Sequence, residues 1–255
     1  MNLMPAQAGT SPNYWCTWGT QNLGRDDGTP LSAEQFEGAD GALLARDCLT
    51  AEMLIGVNGW AVQLYPLIRS DLYFVLDDGW DVPYRVDPRT ARWRFGSLIL
   101  SDERFPGFGD TPTERLATIN QRLKALGWGG AGLWVAAQAF GERRDRQSFD
   151  VASQHAYWQE RLQWSYEAHL QYWKVDWGLH TDEAAFRQML TDMARSIAPR
   201  FTIEHFFQAA KFNGTEYAKS IHKAKSPAFA ARMGRSRKHP IRKDWEHTGN
   251  LGMQA

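Results

Sequence analysis

The sequence has only two cysteines, Cys16 and Cys48, and no long apolar run. Two cysteines are too few for a disulfide framework, and their spacing does not fit a zinc site. No apolar stretch approaches the roughly 20 residues of a membrane-spanning helix, and the first ten residues lack the pattern of a secretion signal. We therefore predict no membrane contact and, by default, a reducing cytoplasmic location, although a mis-set start codon would hide a signal for secretion.

The sequence also lacks the short motifs of several enzyme classes. It contains no Gly-x-Ser-x-Gly elbow, no phosphate-binding loop and no Gly-x-Gly-x-x-Gly fingerprint, and its seven histidines do not fall at metal-ligand spacings. Acyl transfer, phosphoryl transfer and hydride transfer therefore have no support in the sequence, and we predict no metal centre.

The net charge is zero, but the charges are unevenly distributed along the chain. Residues 211–255 carry 10 of the 29 basic residues and 3 of the 29 acidic ones, which leaves 19 basic and 26 acidic residues in 1–210. Such a basic segment could bind phosphate or nucleic acid, but no recognisable nucleic-acid-binding fold supports that interpretation, so a solvated or disordered end is favoured. Nucleic acid ranks last among the partners that we expect.

Short apolar strands alternate with amphipathic helices, a pattern typical of βα units on a parallel sheet. One helix begins at a capping box, with Thr111 before Pro112 and with Glu114 three residues later. We predict an α/β fold, a parallel (β/α) TIM-type barrel with about five of its eight strands present. The expected strands are residues 13–18, 72–76, 131–136, 172–175 and 201–206.

This pattern gives three segments: an N-terminal extension at 1–12, a partial barrel catalytic domain at 13–214 and the basic tail at 215–255. A long connection, residues 19–70, joins the first two expected strands. It is rich in Gly and Asp and longer than a plain loop, so we expect it to form the rim of a pocket.

Charged residues stand at the ends of three expected strands. Asp77 and Asp78 follow the second strand, and Lys174 and Asp176, which lie two residues apart and so share a face, end the fourth. Glu204 lies in the fifth strand between apolar neighbours, where a charge needs a partner or a ligand. The carboxyl ends of barrel strands form the active-site face, so we expect these side chains to converge.

Each of these charged groups also has a structural interpretation. Lys174 and Asp176 fit a structural ion pair as well as they fit a catalytic pair. Asp77 and Asp78 could grip two hydroxyl groups, cap the next turn or bind a hard cation, but the oxygen-ligand spacing of a calcium loop is missing. The twelve tryptophans could stack on sugars, although packing in the core is the more common role of a buried tryptophan.

Four segments, in the same order, resemble the α-galactosidase (melibiase-like) superfamily of retaining glycoside hydrolases. They are the aromatic strand at 13–18, Asp-Asp-Gly-Trp at 77–80, Lys-Val-Asp at 174–176 and Ile-Glu-His at 203–205. The resemblance covers about residues 13–214. It implies a β/α barrel that hydrolyses α-linked, α-galactoside-like glycosides by a double displacement and needs no metal or organic cofactor. The implied partner is a carbohydrate, an α-linked oligosaccharide or glycoconjugate.

The resemblance also implies a role for each strand-end residue. Asp176 would be the nucleophile, and the other positions would bind the sugar. In these substrate-binding roles, Trp18 would support the sugar face, Lys174, Asp77 and Asp78 would bind ring hydroxyl groups, and Glu204 would lie close to the 2-hydroxyl group.

The acid/base residue has no counterpart in this sequence. In the superfamily it is an aspartate that follows a sixth strand, and Asp244, the only aspartate after Gly214, matches poorly. We therefore expect a chain that is truncated or frame-shifted after Gly214, with open barrel edges that favour self-association. The alternative function is that of a non-catalytic carbohydrate-binding fragment.

Overall fold

The computed structural model describes residues 12–23, 45–86, 93–142, 151–181 and 183–205. Within these ranges five strands form one sheet in the order β1-β2-β3-β4-β5, and every neighbouring pair is parallel. The predicted α/β class with a parallel sheet is therefore confirmed. The strands are β1 Tyr14–Cys16, β2 Tyr73–Leu76, β3 Gly130–Val135, β4 Tyr172–Val175 and β5 Thr202–His205.

Helices fill the connections between successive strands. Three long helices follow β2, β3 and β4, respectively, as the βα pattern predicts, and the described parts of the segment between β1 and β2 contribute three short ones. The short helices are α1 Trp18–Leu23, α2 Ala51–Ile55 and α3 Trp60–Gln63, and the long ones are α4 Pro112–Ala125, α5 Val151–Glu167 and α6 Ala184–Ile197. In the part of the chain that the structure describes, no helix has the length and the apolar character needed to cross a membrane.

The start of α4 shows how local sequence sets an element boundary. The Thr111 hydroxyl accepts a hydrogen bond from Glu114 N at 3.2 Å, and the Glu114 carboxylate accepts one from Thr111 N at 3.0 Å. These reciprocal bonds satisfy amide groups that the first turn of a helix leaves without partners. The predicted capping box, with Pro112 at the start of the helix, is confirmed.

The sheet has two apolar faces with different neighbours. On one face, strand residues such as Phe74, Leu133 and Trp173 belong to the same buried core as side chains of α4, α5 and α6. On the other face, the core cluster consists of Tyr14, Cys16, Val75 and Tyr172, with Trp18 and Tyr73 packed against it. The charged ends of β2 and β4 belong to this second face.

Gly132 allows the second face to close around its tyrosine. A Cβ atom at this position would lie 2.7 Å from Cδ1 of Tyr172 and 2.9 Å from Cγ2 of Val75. Both contacts are far inside van der Waals range, so any larger residue would force the tyrosine or the strand to move.

Three sequence predictions need correction or fall outside this description. The first strand ends at Cys16 rather than Trp18, and Trp18 begins α1. The predicted barrel is confirmed only in part. Five parallel strands lie in chain order, but within the described ranges β1 and β5 are the edges of the sheet. The N-terminal extension at 1–12, apart from its last residue, and the basic tail at 215–255 lie outside the described residues, as does Phe206.

Candidate functional site

A buried ion pair joins the ends of β2 and β4. Lys174 Nζ lies 2.8 Å from Asp77 Oδ2, and the Cys16 thiol donates to the same oxygen at 2.7 Å. Burial opposes the positive charge of Lys174, but the surrounding groups, of which Asp77 contributes most, together outweigh it, so the pKa of Lys174 lies well above its ordinary value. The lysine is therefore charged, and its ion-pair partner is Asp77 rather than Asp176, the partner considered from the sequence. The contacts of Lys174 and Cys16 with Asp77 link β1, β2 and β4.

Asp78 has a different partner from its neighbour. Arg46 Nε donates to Asp78 Oδ1 at 2.8 Å and Arg46 Nη2 donates to Oδ2 at 3.0 Å, a two-point contact. Arg46 comes from the connection between β1 and β2, which was predicted to form a pocket rim. Sequence reasoning did not identify Arg46, because no local pattern indicates which loop arginine will reach a distant carboxylate.

Asp176 lies one residue beyond β4 and points from the same face as Lys174. Its carboxylate Oδ2 accepts a hydrogen bond from the indole Nε1 of Trp134 at 3.0 Å. Burial, together with the charge of Asp77, raises the pKa of Asp176 to about 6, although Lys174 and Trp134 favour the ionised form. Asp176 is 8% exposed, against 2% for Asp77 and 3% for Asp78, so it is the strand-end aspartate most accessible to a ligand.

Glu204 lies deeper on the same face of the sheet. It pairs in register with Lys174 across β4 and β5, and its carboxylate Oε2 accepts a hydrogen bond from the hydroxyl of Tyr172. Burial raises the pKa of Tyr172 well above its ordinary value, and the negative Glu204 raises it further. The buried charge therefore has the partner that the sequence required. The neighbouring His205 is buried, and its ring nitrogens lie 3.3 Å from Arg187 Nη1 and 2.9 Å from Thr191 Oγ1.

Aromatic side chains pack together near Asp176, at the carboxyl ends of the strands. Phe95, Trp134 and Trp177 pack on one another with ring centroids 5.0–5.7 Å apart, and the guanidinium group of Arg46 lies 4.8 Å from the Phe95 ring centroid. Trp177 is partly buried and follows Asp176 directly. Trp18, the tryptophan predicted to support a sugar, is partly buried against the Tyr14 cluster near Cys16.

Two buried arginines shape the loops that carry these groups. Arg187 of α6 donates to the carbonyl oxygens of Val175 and Asp176 at 2.8 and 3.0 Å and to Thr181 O at 2.9 Å. Arg104 donates to Arg46 O at 2.6 Å and to other oxygen atoms near it. Arg187 therefore fixes the backbone at Asp176, and Arg104 fixes the backbone at Arg46.

Asp81 is a further buried carboxyl that sequence reasoning missed. Its Oδ2 accepts hydrogen bonds from Gly96 N at 3.0 Å and Leu98 N at 3.4 Å, whereas Oδ1 has no hydrogen-bond partner among the described residues. Burial, with a contribution from the charge of Asp78, raises the pKa of Asp81 to about 7. Its position four residues after Asp77 could have drawn attention to it, but nothing in the sequence indicates its burial.

A histidine and two glutamates form a second charged cluster, on the loops that follow β3 and β4. His180 Nε2 lies 2.7 Å from Glu142 Oε1, and His180 Nδ1 lies 3.1 Å from Glu183 Oε1. Burial opposes the charge on His180, but the hydrogen bonds and charges of Glu142 and Glu183 together outweigh it, and the pKa of His180 is raised above 6.5. Burial likewise opposes the charge on Glu142, yet His180 holds the pKa of Glu142 below 4.5.

These opposite pKa shifts predict how the stability depends on pH. The contribution of His180 is complete below pH 6.5 and is lost as the pH rises through its raised pKa, and that of Glu142 is present above pH 4.5 and is lost as the pH falls through its lowered pKa. We therefore expect Glu142→Gln to lower the melting temperature most between these two values, and less at alkaline pH.

The control for this measurement is Glu160→Gln, which removes an exposed carboxylate 2.9 Å from Arg161 Nη1. An ion pair with a solvent-exposed partner contributes little to stability, so its effect should be small and should vary little between about pH 5 and 8. A Glu142→Gln effect that is equally flat would show that the ion pair with His180 does not stabilise the fold.

Within the described ranges, no group of three or more His, Cys, Asp or Glu side chains is arranged to hold a metal ion. The strand-end carboxylates are instead held by Lys174, Arg46 and Trp134. The arrangement is thus a buried set of acids held by cations and indole groups. It can accept hydrogen bonds from a polar ligand, because a carboxylate oxygen can accept more than one.

Comparison with known proteins identifies one short similarity. The chain is 53% identical over 45 residues to the N-glycosidase YbiA of Escherichia coli (strain K12) and to that of Shigella flexneri. The match covers 18% of this chain, which spans only 28% of the length of these curated relatives. No family model matches the chain, and no solved structure matches it.

These findings correct the predicted family and reaction. Membership of the α-galactosidase (melibiase-like) superfamily is wrong, because no model of any family matches and the curated relatives belong to a different family, the N-glycosidases. Hydrolysis of α-galactoside-like substrates by a retaining double displacement was predicted from that resemblance, and this prediction is therefore also wrong.

Proposed function

We propose that this chain is a glycosidase-type enzyme whose strand-end site binds a sugar ring and cleaves the bond at the anomeric carbon. The observation that carries this proposal is the buried Lys174–Asp77 ion pair beside Asp176 on one face of the sheet. The short similarity to proteins named N-glycosidase supports the general reaction class. The substrate panel described below contains both O-glycosides and ribonucleosides, so it distinguishes cleavage of a bond to oxygen from cleavage of a bond to nitrogen.

The charged groups suit a ligand that has several hydroxyl groups. Asp77 and Asp78 each keep lone pairs that can accept a hydroxyl proton, and Lys174 can donate to a ring oxygen. The partly buried Trp177 presents an aromatic surface beside Asp176, and such surfaces pack well on the C–H face of a sugar. A carbohydrate partner is therefore proposed, with binding roles for Trp18, Asp77, Asp78, Lys174 and Glu204.

Asp176 would provide the negative charge that a cleavage reaction needs. Positive charge develops at the anomeric carbon as a glycosidic bond breaks, and a fixed carboxylate at that point stabilises the transition state. Trp134 holds the carboxylate through its indole N–H, so that it does not rotate when the ligand arrives. Because the pKa of Asp176 is about 6, activity should rise as the pH increases through that value.

The decisive variant is Asp176→Asn. We expect its turnover to fall by roughly 10²–10⁴-fold, because the amide has no charge to offer the transition state. Its fold should be retained, since the indole N–H of Trp134 can donate to an amide oxygen and since burial disfavours the charge that is removed. Turnover would be measured on a panel of para-nitrophenyl glycosides of pentoses and hexoses in both anomeric forms, and on ribonucleosides.

The matched control is Asp192→Asn, an exposed aspartate on α6, which should leave turnover unchanged. Sugar binding, followed by tryptophan fluorescence, should persist in Asp176→Asn. Saturable binding by the wild type without turnover of any probe would indicate a binding protein instead of an enzyme. The absence of both binding and turnover would overturn the proposal.

We also propose that the described sheet is part of a complete (β/α) barrel. It is supported by five parallel strands in chain order with helices between them. The outer edges of β1 and β5 are where further strands, or a second copy of the chain, would add. Size-exclusion chromatography with light scattering distinguishes a monomer from a self-associated form.

A further inference from the structure

We propose that Glu142, His180 and Glu183 form a latch between the loops that follow β3 and β4, and that His180 thereby positions Asp176. The positioning of Asp176 rests on the proposed glycosidase function, whereas the latch itself does not. Loops are the more mobile parts of a fold, so the contacts that join these two loops determine how firmly the strand-end site is held.

The carboxylate of Glu142 joins three parts of the chain. Its Oε2 accepts a hydrogen bond from Ala139 N at 2.9 Å within its own turn. Its Oε1 accepts one from Gln154 Nε2 of α5 at 2.7 Å and lies 2.7 Å from His180 Nε2. A carboxylate oxygen has two lone pairs, so Oε1 can hold both partners at once. Glu142 therefore connects the loop after β3 with α5 and with the loop after β4.

The His180 side of the latch is buried and held in one orientation. His180 is 4% exposed, and its ring centroid lies 5.4 Å from that of Phe186 on α6. The other ring nitrogen, Nδ1, lies 3.1 Å from Oε1 of Glu183, the residue that precedes α6. Buried polar groups are costly to leave without partners, so the ring cannot turn away from these two carboxylates without a loss of stability.

Backbone hydrogen bonds connect the latch with the strand-end site. His180 N donates to Ala137 O at 2.9 Å, and Ala137 N donates to Trp177 O at 2.8 Å. The residue before Trp177 is Asp176, whose amide donates to Val135 O at 2.9 Å. The two loops therefore run side by side from Asp176 to His180, and a movement of one loop is transmitted to the other.

The close approach of the two loops is visible at Gly178. A Cβ atom at this position would lie 2.5 Å from the carbonyl carbon of Ala137 and 2.6 Å from its nitrogen, so any side chain would force the loops apart. Arg187 holds the same loop from α6, through the carbonyl oxygens of Asp176 and Thr181. The latch adds a side-chain contact from the opposite direction, the loop after β3.

The latch carries opposite charges near neutral pH. Burial opposes the charge on His180, but Glu142 and Glu183 together outweigh it and raise the pKa of His180 above 6.5. Gln154 of α5 and Phe186 of α6 face the same ring and carry no charge. Because the pKa is raised in the folded protein, the contribution of the charged ring is complete below pH 6.5 and is lost as the pH rises through the raised pKa.

The test replaces His180 by two amides of different length. The amide nitrogen of glutamine can take the position of Nε2 and keep the contact with Glu142, whereas asparagine reaches only the position of Nδ1, beside Glu183. We expect His180→Asn to accelerate hydrogen exchange at residues 176–181 by about 10–100-fold, since a hydrogen bond to a charged group is lost, and His180→Gln to stay close to the wild type. Mass spectrometry of peptic peptides at pH 6 measures the exchange.

Glu142→Ala tests the latch from the other loop. The substitution lies outside residues 176–181, yet the same acceleration is expected there, because Glu142 is the partner of His180. The matched control is His169→Asn. His169 is an exposed histidine after α5 with a φ of 58°, a conformation that asparagine adopts more readily than most residues, so neither exchange nor turnover should change.

A kinetic measurement separates the positioning of Asp176 from stability alone. With the glycoside or nucleoside that the wild type hydrolyses best, His180→Asn should lower kcat by roughly 10–100-fold, because a displaced carboxylate no longer faces the anomeric carbon. KM should change little, and His180→Gln should restore most of kcat. In the wild type, protection from exchange at residues 176–181 should fall between about pH 6 and 9, while that of α4 should not. This last comparison decides the question if the variants do not fold.

Unchanged exchange at residues 176–181 in His180→Asn and Glu142→Ala would overturn the latch and leave the glycosidase proposal in place. Equal acceleration in His180→Gln and His180→Asn would overturn it too, because the bond to Glu142 would then not be the contact that holds the loop. Faster exchange without a fall in kcat would overturn the positioning of Asp176. If the wild type cleaves no glycoside or nucleoside, the proposed function falls, and the exchange measurements still decide whether the latch exists.

Discussion

Replacing Lys174 by Met should lower the free energy of unfolding by about 3–5 kcal/mol, because it leaves Asp77 buried without its cation. Asp77 is 2% exposed, and after the substitution the remaining donors to its carboxylate among the described residues would be the Cys16 thiol and the amide of Asp78. Denaturant unfolding measures this loss.

The double variant Lys174→Met/Asp77→Asn separates the ion pair from simple packing. It removes both charges, so it should be more stable than Lys174→Met alone. Lys124→Met changes an exposed lysine at the end of α4 and should alter stability by no more than about 0.5 kcal/mol. If Lys174→Met is as mild as this control, the ion pair does not organise the strand ends.

We expect Arg187→Lys to destabilise the protein by about 2–4 kcal/mol and to loosen the loop that carries Asp176. The guanidinium group spans the carbonyl oxygens of Val175, Asp176 and Thr181, whereas the single ammonium group of a lysine cannot reach all of them. Hydrogen exchange should therefore accelerate at residues 176–181, which mass spectrometry of peptic peptides can follow.

Arg195→Lys is the matched substitution on the same helix. Arg195 is exposed and pairs with Asp192 at 3.6 Å, so the change should alter stability by no more than about 0.5 kcal/mol and should leave exchange at 176–181 as it was. Unaltered exchange in Arg187→Lys would mean that the loop is held by other contacts and that Arg187 serves packing alone.

Local sequence rules predicted the elements of this fold well. The capping box at Thr111 and the apolar strands all depend on residues close together in the chain, and a parallel sheet follows from their alternation with helices. The contact between Lys174 and Asp77 was also foreseeable, because the ends of parallel strands meet at one edge. Predictions of this kind need only the period of the sequence and the topology.

The other parts of the site depend on contacts that no local pattern encodes. Arg46 reaches Asp78 across 32 residues, and the burial of Asp81 results from a loop that folds back over it. The incorrect family prediction has a related physical cause. Acids and tryptophans at the ends of parallel strands suit many ligands, so short motifs of this kind indicate the position of a site better than its reaction.

The order of the strands also bears on how the protein acquires its structure during synthesis. Each strand pairs with the one before it, so a strand that leaves the ribosome finds its neighbour already exposed and need not wait for distant segments. The sheet can grow vectorially, one βα unit at a time. Lys174 lies on the fourth strand. Its contacts with Cys16 and Asp77 would therefore form late, after the first three strands have paired.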